Sequence, residues 1–146
     1  MMSISDEFYT LKGYQMNEAV ELTSAMEDYL EMICRIFKHE NSVRVSDLSK
    51  MLNVKPSSVT KMVQQLKDLG YVNSEKYGQI SLTELGRAEG EYLLYRHEVI
   101  HRFLCVLNQS ENELEQVEKI EHFLNHRTVE NLSKLTKCLQ SELKKP

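Results

Sequence analysis

Three side chains that can bind a cation lie close together in the C-terminal third of the sequence. Glu118, Glu121 and His122 occupy positions i, i+3 and i+4, which are neighbours on one surface of an α-helix. The same predicted helix carries an apolar stripe formed by Leu114, Val117, Ile120 and Leu124. Glu121 falls inside that stripe, where a carboxylate is costly to bury unless it meets a positively charged partner. This helix alone fits a salt bridge to another helix as well as it fits a metal site.

Two further groups of side chains favour the metal site. Asp28 and Glu31 lie one turn apart on an N-terminal helix, where alone they would form an ordinary solvated acidic surface. His97 lies on a long central helix, and a lone histidine is more often structural than a ligand. Together with the Glu-x-x-Glu-His segment, however, they form a six-residue set of oxygen and nitrogen donors. Such a set suits manganese, ferrous iron or zinc, and bridging glutamates would allow two ions.

A second functional pattern lies on a short polar helix that begins at Pro56, a residue suited to the first helical turn because it lacks an N–H. Its outward residues are small hydroxyls, amides and one cation: Ser57, Ser58, Thr60, Lys61, Gln64 and Gln65. Such groups can reach bases and phosphates in a major groove without crowding them. Lys76 and Tyr77, at the tip of a predicted hairpin, are placed to touch the adjacent DNA backbone or minor groove. The pattern favours DNA recognition over an ordinary solvated helix.

The predicted elements give the order helix, short helix, turn, helix, hairpin, which is typical of a winged helix-turn-helix. Apolar periodicity and capping residues predict helices at about residues 24–39, 46–52, 56–69, 84–107, 111–125 and 128–144, and a β-hairpin at 71–82. We therefore expect a mainly α protein in which a winged helix-turn-helix with a two-stranded wing precedes an all-helical dimerisation domain. The expected divisions are an N-terminal extension (1–23), a DNA-binding domain (24–83) and a metal-binding and dimerisation domain (84–146).

Composition and charge are consistent with a globular DNA-binding protein. The chain has 146 residues, 41% of them hydrophobic and 27% charged, with a net charge of −4. The segment 44–79 carries six basic and three acidic side chains, a charge of +3 that leaves −7 for the rest. The longest apolar run, 103–107, is far too short to span a membrane, and the acidic N-terminus does not resemble a signal peptide. Three unpaired cysteines agree with a reduced, cytoplasmic protein.

Several segments resemble the manganese-responsive branch of the diphtheria toxin repressor family. The resemblance extends from about Ser24 to Asn125 and rests on specific motifs, which are the segments 24–31, 44–48, 56–64, 75–77, 95–98 and 117–122. It implies a dimeric, metal-activated repressor of metal-uptake genes that binds palindromic double-stranded DNA. Carried over by position, it also implies the metal ligands Asp28, Glu31, His97, Glu118, Glu121 and His122.

The resemblance further implies which metal is sensed. The iron-sensing branch has Met where Asp28 stands and Cys where Glu118 stands, so the oxygen donors here favour Mn(II), with one or two ions per chain. An Fe(II)-responsive regulator of the same family is the alternative, and Zn(II) is also compatible with the donors. Two features depart from the family pattern: the extension at 1–23, and His101, one turn after His97, which could be an extra ligand or support one.

Two other function classes compete with the repressor. A di-metal carboxylate enzyme in a helical bundle would use similar residues, but helix 128–144 offers no comparable acidic pair and the hairpin would have no role. A metal-independent winged-helix sensor would leave Glu121 without a partner. The expected homodimer rests on the apolar content of the long helix, which carries Leu93, Leu94, Ile100, Phe103, Leu104 and Leu107.

Overall fold

The computed structural model describes residues 10–11, 22–75 and 78–144. In chain order, the elements are α1 (Ser24–His39), β1 (Val43–Arg44), α2 (Val45–Leu52), α3 (Pro56–Asp68), β2 (Val72–Ser74), β3 (Gln79–Leu82), α4 (Glu84–Asn108), α5 (Leu114–Ile120), a 3₁₀ helix (Glu121–Phe123) and α6 (His126–Leu143). The architecture is the predicted one, with a winged helix-turn-helix followed by helices. No helix in the described ranges is long and apolar enough to cross a membrane.

The helix-turn-helix follows the local signals in the sequence. The Thr23 hydroxyl accepts a hydrogen bond from the Met26 N–H and so caps α1. Pro56 is the first residue of α3, and the turn before it contains Asn53 in the left-handed conformation, with φ of 53°. The predicted start of α2 was one residue late. Its cap is Arg44, whose backbone N–H donates to the Asp47 carboxylate, and not Ser46.

The wing contains the predicted hairpin and one additional strand. β2 and β3 pair antiparallel, and β1 pairs with the other side of β3, which gives the order β1-β3-β2. The prediction of a two-stranded wing was therefore incomplete. A two-residue strand has too few residues to show an alternating pattern in the sequence. In the structure, the fully buried Val43 of β1 pairs with Ile80 of β3.

The winged helix and the C-terminal helices have separate hydrophobic clusters. The first lies among α1, α2, α3, the sheet and the first half of α4, and includes Leu30, Ile33, Leu48 and Leu66, all fully buried. The second is smaller and is built on Ile100, Leu104 and Val117. Leu93, Ile100 and Leu104 of α4 are therefore buried within the chain, so they cannot supply the surplus dimer surface predicted for them.

The region 111–125 is less helical than predicted. α5 begins only at Leu114, because the Asn112 side chain accepts from the Leu114 N–H and holds the preceding residues in a turn. The helix tightens to 3₁₀ geometry at Glu121–Phe123. Leu114, expected on the apolar stripe, is 44% exposed. The last helix begins two residues earlier than predicted, at His126, and is capped by Asn125.

Close packing of α4 against the winged helix depends on glycine, and Gly86→Ala should destabilise the fold by about 1–3 kcal/mol or more. A Cβ at this position would overlap the Tyr71 carbonyl oxygen. That oxygen cannot move freely, because it accepts hydrogen bonds from both the N–H and the hydroxyl of Thr83. Urea unfolding measures the change in the free energy of unfolding.

The matched control is Ala88→Gly, an exposed position on the same helix, which should cost at most about 1 kcal/mol through helix propensity alone. A Gly86→Ala variant that is no less stable than this control would contradict the packing argument.

Candidate metal centre and DNA-binding surface

The six predicted metal ligands come from four elements that meet at the junction between the winged helix and the C-terminal helices. Asp28 and Glu31 lie on α1, His97 on α4 and Glu118 on α5, while Glu121 and His122 lie on the 3₁₀ helix. α1 packs along α4, and α4 also contacts α5 and the 3₁₀ helix. This packing brings together residues almost one hundred positions apart in the chain.

His97 and His122 each face carboxylates from more than one element. The Nδ1 atom of His97 lies 2.9 Å from Glu121 Oε2, 3.5 Å from Glu31 Oε1 and 3.7 Å from Glu118 Oε1. The Nε2 atom of His122 lies 2.9 Å from Asp28 Oδ1 and 3.8 Å from Glu121 Oε1. Five of the predicted residues therefore form two adjacent groups that share Glu121.

The donor atoms of these two groups have the spacing that a metal ion needs. One group is Asp28, Glu121 and His122, and the other is Glu31, His97 and Glu121; within each, the donor atoms all lie within 4.8 Å of one another. Glu118 belongs to neither group and stands at the edge, with 57% of its side chain exposed.

Glu121 is the strongest sign that these residues fit a cation. Its side chain has no exposure, and its Oε1 atom has no hydrogen-bond partner within the described residues. Leaving a buried carboxylate oxygen unpaired is unfavourable, because nothing replaces the water it has lost. A divalent ion between carboxylate and imidazole donors would satisfy it.

The carboxylates of the cluster lie close enough to repel one another, and this repulsion affects the pKa of two of them. Burial, followed by repulsion from Glu121, raises the pKa of both Glu31 and Glu118. The hydrogen bond to Glu121 raises the pKa of His97. Hydrogen bonds to Asp28 and Glu27 raise the pKa of His122 to about 10. A positive charge would relieve this repulsion.

Two residues beside the candidate site, Arg96 and Glu27, were not predicted from the sequence. Arg96 is buried on α4, and its Nη1 atom donates to Glu27 Oε2 over 3.2 Å. The other oxygen of Glu27 lies 3.0 Å from His122 Nδ1. A signal was present, since Arg96 stands three residues after Leu93 and four before Ile100, on the buried face of the helix. An arginine there requires a buried acceptor.

His101 belongs to neither group of donor atoms found in the described part of the chain, and it contacts the turn before α5. Its Nε2 atom accepts a hydrogen bond of 3.2 Å from the Glu113 backbone N–H, which ties the end of α4 to the turn before α5. The same atom lies 3.5 Å from the Cys105 sulfur. This nitrogen is therefore already engaged.

The predicted DNA-reading side chains form one exposed surface on α3, which we call the recognition face: Ser57, Ser58, Thr60, Lys61, Gln64 and Gln65. The opposite side of α3 buries Val59, Val63 and Leu66 in the core. The Gln64 amide donates to the Asp68 carboxylate over 2.9 Å, and the Thr60 hydroxyl donates to the Pro56 carbonyl over 3.1 Å. Lys76 and Tyr77, predicted at the hairpin tip, lie outside the described residues.

Both halves of the chain match known protein families. Residues 21–80 match the N-terminal DNA-binding domain of the iron-dependent repressors, and residues 83–143 match their metal-binding and dimerisation domain. The HTH-type transcriptional regulator MntR of Geobacillus kaustophilus (strain HTA426) is 40% identical to this chain over 121 residues, which are 82% of this chain and 86% of that protein.

Two solved structures are similar in fold. The metal-dependent transcriptional regulator MtsR has a TM-score of 0.69 at 24% identity, covering 80% of this chain and 55% of its own. The manganese-activated repressor ScaR, in its apo form, has a TM-score of 0.62 at 26% identity, covering 74% of this chain and 52% of its own. The chain thus spans about half the length of these two proteins.

These matches confirm the resemblance to metal-dependent repressors and show that the enzyme hypothesis is wrong, since the family consists of transcriptional regulators. The chain belongs to the iron-dependent repressor family and is a homodimeric, DNA-binding transcriptional regulator that depends on a divalent metal.

Proposed function

We propose that this protein is a Mn(II)-activated repressor of metal-uptake genes, and that Asp28, Glu31, His97, Glu118, Glu121 and His122 hold the metal. The observation that carries the proposal is the fully buried Glu121, which belongs to both groups of donor atoms and whose Oε1 atom has no hydrogen-bond partner within the described residues. Because those two groups share one carboxylate, we infer two ions per chain.

The donors support manganese as the signal. Four carboxylates and two imidazoles are hard or intermediate ligands, and the set contains no thiolate or thioether. The similar protein ScaR is described as manganese-activated. Affinity alone would favour zinc over manganese, so selectivity must come from site geometry and metal availability.

The decisive experiment is a titration of DNA binding with Mn(II), Fe(II) and Zn(II), at fixed ionic strength, with the number of bound ions measured alongside. We expect Mn(II) to activate binding with two ions per chain. Activation by Fe(II) alone at cellular concentrations would favour the iron-responsive alternative, and binding unaffected by any metal would refute the proposal.

We further propose that the protein acts in the cytoplasm and binds a palindromic operator as a two-fold dimer. A symmetric dimer places its two recognition helices on half-sites about one helical turn, or a multiple of it, apart. The apolar side chains left exposed on the second half are candidates for the dimer contact: Leu107, Leu114, Phe123, Leu135 and Leu143.

The recognition face predicts two distinguishable effects on operator binding. Lys61→Ala should weaken binding to all sequences about equally and reduce the salt dependence by about one unit, because a lysine most often contacts phosphate. Gln64→Ala should relax the preference at one base pair, by about 1–3 kcal/mol, because an amide reads a base edge. Salt-dependent binding assays on operator and mutated operators measure both effects.

Both variants should leave Mn(II) affinity unchanged in the absence of DNA. Lys137→Ala is the matched control, since this lysine is exposed on α6, which carries no residue of the recognition face and no proposed metal ligand. Wild-type operator affinity in both Lys61→Ala and Gln64→Ala would place the reading surface elsewhere.

A further inference from the structure

Beside the cluster, three largely buried side chains form a chain of contacts that connects three elements of the fold. Glu27 lies on α1, Arg96 on α4 and His122 on the 3₁₀ helix. One Glu27 oxygen accepts from Arg96 Nη1 at 3.2 Å, and the other lies 3.0 Å from His122 Nδ1. The Arg96 and Glu27 side chains are only 5% and 14% exposed, so neither contact is an ordinary surface ion pair.

The contact with Glu27 determines which nitrogen of His122 keeps its proton when a metal ion binds to the other. A carboxylate can only accept, so the contact with Glu27 requires a proton on Nδ1. In neutral imidazole, a proton on Nδ1 leaves the lone pair on Nε2. That atom lies 2.9 Å from Asp28 Oδ1 and 3.8 Å from Glu121 Oε1. Without metal, Nε2 donates to Asp28 and the ring carries two protons. A metal ion bound in the cluster would replace the proton on Nε2 and leave the proton on Nδ1 with Glu27.

Arg96 would have the opposite effect if Glu27 were absent. Its Nη2 atom lies 3.4 Å from the same His122 Nδ1, and guanidinium can only donate. A hydrogen bond from Arg96 would require a lone pair on Nδ1 and would move the proton of a neutral ring to Nε2, where it would block coordination. Glu27 prevents this because it makes the shorter contact to Nδ1 and also engages Nη1 of the arginine.

We propose that Glu27 is a positioning residue that fixes His122 with its Nδ1–H toward Glu27 and its Nε2 toward the metal. It touches no ion, yet it sets the metal affinity through the orientation and tautomer of a ligand. This inference rests on the proposed function, because His122 must be a ligand for its tautomer to matter.

The central test replaces Glu27 by methionine, which has a similar length but cannot accept a hydrogen bond in the same way. Glu27→Met should weaken Mn(II) binding, measured without DNA, by about 10- to 100-fold, as expected for the loss of a residue that orients a ligand. Glu27→Gln, which keeps a neutral acceptor, should fall between Glu27→Met and the wild type. Glu115→Met is the control, because Glu115 is far more exposed to water than Glu27 and pairs with Lys119 on the same helix.

A nitrogen-15 NMR measurement on protein loaded with diamagnetic Zn(II) separates positioning from a general structural role. In the wild type, His122 should bind Zn(II) through Nε2 and show a protected Nδ1–H signal. Glu27→Met should lose that protection or switch the coordinating nitrogen. Arg96→Met should retain the Nδ1–H signal, because Glu27 still accepts from it; this variant keeps the test decisive if Glu27→Met does not fold.

The possible results distinguish a failure of the positioning role of Glu27 from a failure of the proposed metal centre. Unchanged Mn(II) affinity in Glu27→Met, weakened affinity with an unchanged His122 signal, or loss of the Nδ1–H in a folded Arg96→Met would each overturn the inference. If Glu121→Ala abolishes metal binding while Glu27→Met does not, the positioning role fails and the proposed metal centre stands. If wild-type protein binds no Mn(II), the proposed function itself fails.

Discussion

Replacing Glu121 with alanine should abolish the response of DNA binding to metal while leaving a folded dimer. We expect Mn(II) affinity to fall by at least about 100-fold, more than for loss of a residue that only supports a ligand. The reason is that Glu121 is the one residue common to both groups of donor atoms, so its removal disrupts both proposed ion positions. The two hydrophobic clusters do not include Glu121, so folding should persist.

Thermal or urea unfolding gives an independent measure of the same loss. At a Mn(II) concentration about 100 times the dissociation constant, metal should stabilise the wild type by about 2.7 kcal/mol, and at that concentration Glu121→Ala should gain little. Glu121→Gln, of nearly the same size, controls for the cavity that alanine leaves, and Glu115→Ala controls for the loss of an exposed glutamate. A wild-type manganese response in Glu121→Ala and Glu121→Gln would show that the assigned site is wrong.

Operator DNA should tighten Mn(II) binding by the same factor by which Mn(II) tightens operator binding. The expected coupling is about 1–3 kcal/mol, or about 5- to 150-fold, as is typical of allosteric proteins. The ligand positions motivate this expectation, because Asp28 and Glu31 lie on α1 of the winged helix whereas Glu121 and His122 lie among the C-terminal helices. When bound, the metal supplies the charge that offsets repulsion among the carboxylates of the two halves.

Metal binding should therefore narrow the range of distances between the two recognition helices of the dimer. Spin labels at residue 61 of each protomer can measure this distance without DNA, with and without Mn(II). The labels should be attached without thiol chemistry, because Cys34, Cys105 and Cys138 are all free. Glu121→Ala should show neither the coupling nor the narrowing. Equal Mn(II) affinities with and without operator, together with an unchanged distance distribution, would make the metal a structural component and not a switch.

Interactions between residues a few positions apart in the sequence determined much of the secondary structure of this protein. The ends of the helices depend on residues a few positions apart: Thr23 and Thr83 cap two helices, Pro56 begins α3, and Gly70 after α3 has a positive φ. Local chemistry therefore predicted the helices and the hairpin. The outward side of α3 followed from its apolar period alone, and all six side chains predicted there are exposed. Glu121 was marked as unusual for the same reason, being a carboxylate within an apolar stripe.

Only the tertiary structure decided how the parts of the site meet. β1 gained its strand identity from pairing with β3, a contact between distant segments that outweighs local propensity. The change from α5 to a 3₁₀ turn at Glu121 was not predicted either. The contact between Glu27 and His122 joins residues 95 positions apart. Sequence spacing describes neighbours along one helix, whereas the partners of His122 depend on which side chains α1 and α4 bring to it. The sequence therefore supplied the carboxylates and histidines, and the packing of α1 and the 3₁₀ helix against α4 brought five of them together in two groups that share Glu121.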